Sequence, residues 1–110
     1  MGLRVQNADE TVSRAKSLGS KSFIQNVGLG ELNIPAVRGV GGTIVHFIDE
    51  NSDLHRVWDI EFDRTNDVDA IQPIGLRRID HIAQTMRFDE MQDWLLYYIS
   101  TFEMDKSSIV

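Results

Sequence analysis

The chain has 110 residues, 42% hydrophobic and 25% charged, which is the composition of one globular domain and excludes a wholly disordered protein. Its 17 acidic and 11 basic residues give a formal net charge of −6, which opposes binding to nucleic acids or anionic lipid surfaces. Cysteine is absent, which excludes disulfides, thiolate catalysis and sulfur-ligated zinc. Apolar runs are far shorter than the about 20 residues of a membrane-spanning helix, so we expect a cytoplasmic protein with neither membrane nor nucleic-acid partners.

The first elements in chain order are a short strand and an amphipathic helix. Residues 3–5 predict the strand. Asn7 can cap the helix, since Glu10 stands at its third position, and Gly19 can end it in a left-handed conformation. Between them, apolar residues recur at helical spacing: Ala8, Val12, Ala15 and Leu18.

Three β-rich runs follow, at 22–27, 31–38 and 43–49, separated by glycine clusters at 28–30 and 39–42. Both clusters lie between strands, and neither is followed by the Lys-Ser or Lys-Thr of a phosphate-binding loop. We therefore interpret the clusters as tight turns and the three runs as an antiparallel meander.

Residues 54–62 alternate between two sets of side chains, which predicts a further extended strand with an aromatic face. Asp59, Glu61 and Asp63 then share one face of it. Such a face suits an exposed edge strand that resists pairing with other molecules, and the alternative is a site for a hard cation such as Mg²⁺ or Ca²⁺.

The last third predicts a polar linker at 64–75, a strand at 76–84 and a helix from about residue 89. The helix carries the clearest apolar stripe of the chain: Met91, Trp94, Leu95, Tyr98, Ile99 and Phe102. The element order is thus β-α-β-β-β, an extended segment, and a restarting β-α. It divides the chain into 1–63, the linker, and 76–110.

The histidines are the candidate metal ligands, because neutral imidazole is a common ligand among side chains. His46 lies inside an apolar run and His55 in the next extended segment, and both suit an ordinary structural role. His81 differs because it follows Asp80 within the strand that opens the second unit. The sequence contains neither a nucleophile elbow nor a His-Glu-x-x-His motif, so a complete active site is not visible.

Two parts of the chain resemble the bacterial 4-hydroxyphenylpyruvate dioxygenases. The first comprises residues 31–42, with 46–49 and 58–62 after it, and is similar to the middle of that family. The second is residues 75–82, which resemble the start of the catalytic half and precede family-like helix residues: Met91, Trp94 and Tyr98. Together the two parts span most of residues 31–102.

The resemblance implies an α+β fold of the vicinal oxygen chelate type, in which βαβββ modules form mixed, curved sheets. It implies Fe(II) held by two histidines and one carboxylate, with open positions for an α-keto acid and O₂. His81 corresponds to the first of these metal ligands, and the other two would lie beyond Val110. Residues 1–63 would form most of a non-catalytic module and 76–110 the first β-α of the catalytic one, so the chain alone is expected to be inactive.

Residues 84–86 depart from the dioxygenase pattern. Residues 94–98 resemble a related branch, in which a dioxygenase-like domain follows a barrel that dehydrates 3-dehydroshikimate. An accessory domain in such a fusion is therefore the alternative function. A third hypothesis is a small ligand-binding dimer of the same superfamily. His46 and Glu61 would be its site ligands, although they match the family's ligand positions poorly.

Both ends of the chain look cut, because strand-like residues stand at each of them. We therefore expect a piece of a longer polypeptide. An unfinished module would leave apolar surface uncovered, so we also expect a homo-oligomer in which another chain shields one of three aromatic residues: Trp94, Tyr98 or Phe102.

Overall fold

The computed structural model describes residues 1–63 and 74–108. Its strands and longer helices are β1 (Gly2–Arg4), α1 (Ala8–Ser17), β2 (Ser22–Phe23), β3 (Ala36–Arg38), β4 (Ile44–Ile48), α2 (Val57–Ile60) and α3 (Met91–Phe102). Short 3₁₀ turns lie at Val40–Gly42, Asp53–Arg56 and Phe88–Glu90. The predicted α+β class is confirmed.

The four strands form one mixed sheet in the order β1-β4-β3-β2. β2, β3 and β4 are antiparallel neighbours, which confirms the predicted meander, although β2 and β3 are shorter than the sequence runs indicated. β1 runs parallel to β4, with Leu3 opposite Phe47. Parallel neighbours need a crossover connection, and α1 begins that connection. The first half of the chain therefore has the βαβββ order.

Helix α1 begins and ends as its sequence predicts. The Asn7 side chain accepts a hydrogen bond from the Glu10 backbone N–H at 3.0 Å, which satisfies one of the helix's unpaired donors. Gly19 has a φ of 92°, a left-handed conformation that glycine adopts without steric cost. The predicted helix is confirmed, with its last helical residue at Ser17.

The core lies between α1 and one face of the sheet. Val37, Val45 and Phe47 project from that face and are fully buried. Ala8 and Ala15 are the buried residues of α1, and their small side chains let the helix approach the strands closely. Each large apolar side chain buried here stabilises the fold by about 1.5–3 kcal/mol.

Asp49 joins the end of β4 to the start of α1. One carboxylate oxygen accepts the Ala8 backbone N–H at 2.8 Å, and the other accepts the Ser52 hydroxyl at 2.6 Å and the Ser52 backbone N–H at 3.0 Å. The bonds from the Ser52 hydroxyl and the Ala8 amide lower the pKa of Asp49, because they stabilise its charged form. The ionised side chain therefore fixes two elements at once.

The prediction of an extended strand at 54–62 is wrong. These residues form the Asp53–Arg56 turn and α2 instead. Ser52 accepts a hydrogen bond from the Leu54 backbone N–H at 3.3 Å and begins the helical segment. Leu54 and Val57, three residues apart, are both buried, so the segment buries a helical face rather than a strand face.

The prediction of a strand at 76–84 is also wrong. These residues belong to no sheet, and most of their side chains are exposed. A strand needs a hydrogen-bonding neighbour, and no described residue pairs with them. The expected helix is confirmed as α3. Most of the predicted linker, residues 64–73, lies outside the described residues, and the domain boundaries stay predictions.

Candidate functional site

His81 lies on the irregular segment before α3, with its side chain largely exposed. Its Nδ1 is 3.0 Å from the Asp80 carboxylate. A carboxylate accepts hydrogen bonds, so this contact favours a proton on Nδ1 and leaves the lone pair of Nε2 available. Metal-binding histidines commonly have such a carboxylate partner on the second ring nitrogen. His81 therefore fits a metal as a single nitrogen ligand.

A complete metal centre is not assembled around His81 in residues 1–63 and 74–108. No group of three or more His, Cys, Asp or Glu side chains that could hold a metal ion occurs in these two ranges. The facial triad implied by the family resemblance needs three protein ligands. The described residues thus account for one of them.

His46 and His55 occupy different surroundings. His46 is half-buried in β4, on the sheet face opposite α1, and its ring meets Phe23 edge-on at a centroid distance of 6.3 Å. Burial lowers the pKa of His46, and the positive N-terminus lowers it further. His55 is exposed and lies in the Asp53–Arg56 turn rather than on a strand. The structural interpretation of His46 agrees with this position in the sheet.

The predicted acidic face of Asp59, Glu61 and Asp63 does not form, since Asp59 lies in α2 and Glu61 ends that helix. The Glu61 carboxylate accepts the backbone N–H of Leu32 at 2.7 Å. Glu61 therefore tethers the loop before β3. This hydrogen bond uses one oxygen of the carboxylate that the ligand-binding dimer hypothesis paired with His46.

Helix α3 packs against the first part of the chain at its C-terminal end. Arg14 of α1 donates to the Ser100 carbonyl at 3.1 Å and forms an ion pair with Glu103 at 2.6 Å. The Phe102 ring lies 5.7 Å from the ring of Phe47 in the core, and Thr101 is buried. The guanidinium thus binds a carbonyl that α3 leaves unpaired, where the helix dipole favours a positive charge.

The same helix contacts the segment that carries His81. The Tyr98 hydroxyl donates a hydrogen bond to the side-chain oxygen of Gln84. Burial raises the pKa of Tyr98, so the phenol is neutral and retains its proton as a donor. Neither the role of Arg14 nor this tyrosine–glutamine pair could be predicted from the sequence, because contacts between elements 14 or more residues apart leave no local pattern.

A cleft of about 490 Å³ lies between the end of α1 and α3. Leu18, Trp94 and Tyr97 line it, and the Tyr97 hydroxyl donates to the Arg38 carbonyl at 3.4 Å. The cleft is mostly apolar, and its lining residues include no histidine.

None of the helices in the described part of the chain has the length and apolar character of a membrane span.

Several known proteins are similar to this chain. A family model described as "Hydroxyphenylpyruvate dioxygenase, HPPD, N-terminal" matches residues 1–63. A 3-dehydroshikimate dehydratase from Pseudomonas aeruginosa is 32% identical over 101 residues, which cover 92% of this chain and 16% of the relative. A 4-hydroxyphenylpyruvate dioxygenase from the same species is 31% identical over 99 residues, covering 89% of this chain and 28% of the relative.

A solved structure is similar over almost the whole chain. It is a "xylose isomerase-like TIM barrel/4-hydroxyphenylpyruvate dioxygenase fusion protein", with a TM-score of 0.77 and 28% sequence identity. The similarity covers 99% of this chain and 17% of the fusion protein. The chain therefore spans less than a third of the length of these proteins.

Proposed function

Because the chain belongs to the hydroxyphenylpyruvate dioxygenase N-terminal family, we propose that it is part of a longer Fe(II) dioxygenase acting on an aromatic α-keto acid. In this proposal, residues 1–63 are a non-catalytic module, 64–75 are a linker and 76–110 begin the catalytic module. The observation that carries the proposal is the His81–Asp80 contact, which suits a metal-binding imidazole.

His81 is the first metal ligand in this proposal. Asp80 holds the imidazole through Nδ1 and leaves Nε2 for the metal. A second histidine and a glutamate from strands after residue 110 complete the ligand set. Iron(II), when bound, supplies open coordination positions for the keto acid and O₂. One imidazole holds Fe(II) weakly, so the 110-residue chain by itself is inactive.

Oxygen uptake tests this proposal in a protein extended beyond Val110 to include the remaining module. With Fe(II) and 4-hydroxyphenylpyruvate, we expect uptake that is lost in the His81→Ala variant. His55→Ala is the matched control and keeps the uptake, because His55 is exposed in a turn of the first module. Full uptake by the His81→Ala protein would refute the assignment of His81.

A second candidate function is an accessory domain within a 3-dehydroshikimate dehydratase. The 32% identity to the Pseudomonas aeruginosa dehydratase and the similarity to the fusion structure favour it. Under this alternative the extended protein shows no oxygen uptake with the keto acid. Deleting residues 1–110 from such a fusion would then change its dehydratase activity or assembly.

We also propose that the chain self-associates through α3. Phe102 packs inside its own chain against Phe47, whereas Leu96 and Ile99, three residues apart on α3, are 64% and 38% exposed. Exposed apolar patches of this kind favour association. We expect sedimentation velocity to show a dimer or larger species that Leu96→Lys dissociates. A monodisperse monomer of the unmodified chain would contradict self-association.

A further inference from the structure

The His81 segment has no place in the sheet, so its position depends on contacts with α3. A hydrogen bond from the Tyr98 hydroxyl to the Gln84 side chain joins the segment 74–86 to α3. The His81–Asp80 contact joins neighbouring residues and cannot fix the segment in space. Gln84 lies three residues after His81, close enough to limit where the imidazole lies.

Helix α3 is itself held by the first module. Tyr98 lies one turn before Phe102, whose ring contacts the core, and the two rings are 5.9 Å apart. Arg14 binds the last turn of α3 at Ser100 and pairs with Glu103, which has a left-handed φ of 55°. Tyr98 lies within one turn of these contacts, so they hold its hydroxyl in place together with the C-terminal end of α3.

We propose that Arg14, Tyr98 and Gln84 are positioning residues through which the non-catalytic module fixes the location of His81. Arg14 anchors the C-terminal end of α3, and Tyr98 on that helix holds the His81 segment through Gln84. This inference rests on the proposed role of His81 as a metal ligand. Its physical reason is that a metal site requires each ligand within about 0.5 Å of its productive position.

The 110-residue chain contains no cysteine, so introduced cysteines can be labelled at chosen positions without removing native ones. Single cysteines at Ser13 in α1 and at Ile79 near His81 replace exposed residues and can carry spin labels. Pulsed electron resonance on labelled chain diluted in unlabelled chain, so that only distances within one chain contribute, then measures the distance between the first module and the His81 segment. In the parent sequence we expect one narrow distance distribution.

Gln84→Leu and Tyr98→Phe each remove one partner of the hydrogen bond. A lost hydrogen bond of ordinary strength raises the population of a detached segment by roughly fivefold, so both variants broaden the distribution. Gln84→Glu keeps an acceptor oxygen, so we expect the same narrow distance distribution as in the parent chain. Gln92→Leu, the same kind of change at an exposed position on α3, leaves it unchanged. A distribution as narrow in Gln84→Leu as in the parent would overturn the proposal.

Arg14 is tested with a second, matched pair of variants. Arg14→Gln removes the contacts to Ser100 and Glu103, and we expect it to broaden the same distance distribution. Arg4→Gln removes a comparable exposed ion pair, with Glu50 at 3.0 Å, and leaves the distribution unchanged. A distance distribution as narrow in Arg14→Gln as in Arg4→Gln would show that Arg14 does not position the segment.

These distances are measured without metal and are independent of oxygen uptake. Lost positioning in the variants together with absent uptake in the extended protein would refute the proposed function alone. Uptake that depends on His81, with distances insensitive to Gln84 and Tyr98, would refute the positioning proposal alone.

Discussion

Two phenylalanines show how the two parts of the chain differ. Phe47 in β4 has no exposed surface, whereas Phe88 before α3 is 95% exposed. Phe47 has strands on both sides and a helix above it, because residues 1–48 supply a complete sheet and its crossover. Phe88 follows a segment that has no strand partner among the described residues. Burial thus follows from the neighbours that a segment finds, and the residue type alone does not decide it.

The largest effect that tests this comparison comes from truncating the two rings. Phe47→Ala removes a buried aromatic side chain and should lower the free energy of unfolding by about 3–5 kcal/mol. Phe88→Ala removes an exposed ring and should change it by less than about 0.5 kcal/mol. Urea titration followed by circular dichroism measures both. Similar losses for the two variants would show that the second region is packed as tightly as the first.

A smaller effect, dependent on pH, is expected at Asp49. Asn at this position has one acceptor oxygen instead of two, so Asp49→Asn loses hydrogen bonds to Ala8 or Ser52 and melts several degrees lower at neutral pH. The pKa of Asp49 lies below its ordinary value of 3.8 when folded. Its stabilising contribution is therefore complete above that value and is lost as the pH falls through the lower, folded pKa.

Thermal melts at several pH values test this expectation. The difference between the parent chain and Asp49→Asn should shrink as the pH falls below about 4. The control is Glu50→Gln, which changes the exposed neighbouring carboxylate. A difference that stays constant down to pH 2 would contradict the role of the ionised side chain.

The smallest of the three effects concerns how the helices begin. α1 has a side-chain cap at Asn7, whereas no side-chain hydrogen bond caps the start of α3 at Glu90. Asn7→Ala should lower the free energy of unfolding by about 1 kcal/mol. Asn26→Ala, at an exposed loop position, should have almost no effect. Chemical denaturation of both variants checks the difference, and equal stabilities would contradict the cap.

Local sequence signals predicted the first module well. Asn7, Glu10 and Gly19 specify α1 through hydrogen bonds and backbone conformation within a few residues, so its ends could be predicted closely. The glycine clusters correctly indicated the turns around β3. These features depend on neighbours in sequence, which is why the sequence reveals them.

Two elements could not be assigned correctly from alternation. At 54–62 the sequence combined an imperfect alternation with Leu54 and Val57 at helical spacing after Ser52, and the helical signal prevailed because both side chains reach the core. At 76–84 the pattern is that of a strand, but a strand forms only with a partner. The candidate site was predicted in part: His81 followed from the family resemblance, whereas the contacts of Arg14, Tyr98 and Gln84 are long-range.

The sheet and α1 form a packed core, whereas the segment that carries His81 has no strand partner among the described residues. Hydrogen–deuterium exchange of the 110-residue chain, resolved by peptide, measures this difference. We expect the amides of β4 to be protected, because they bond to β1 and β3, and those of 76–84 to exchange much faster, because no strand among the described residues pairs with them. Protection of 76–84 equal to that of β4 would contradict this difference.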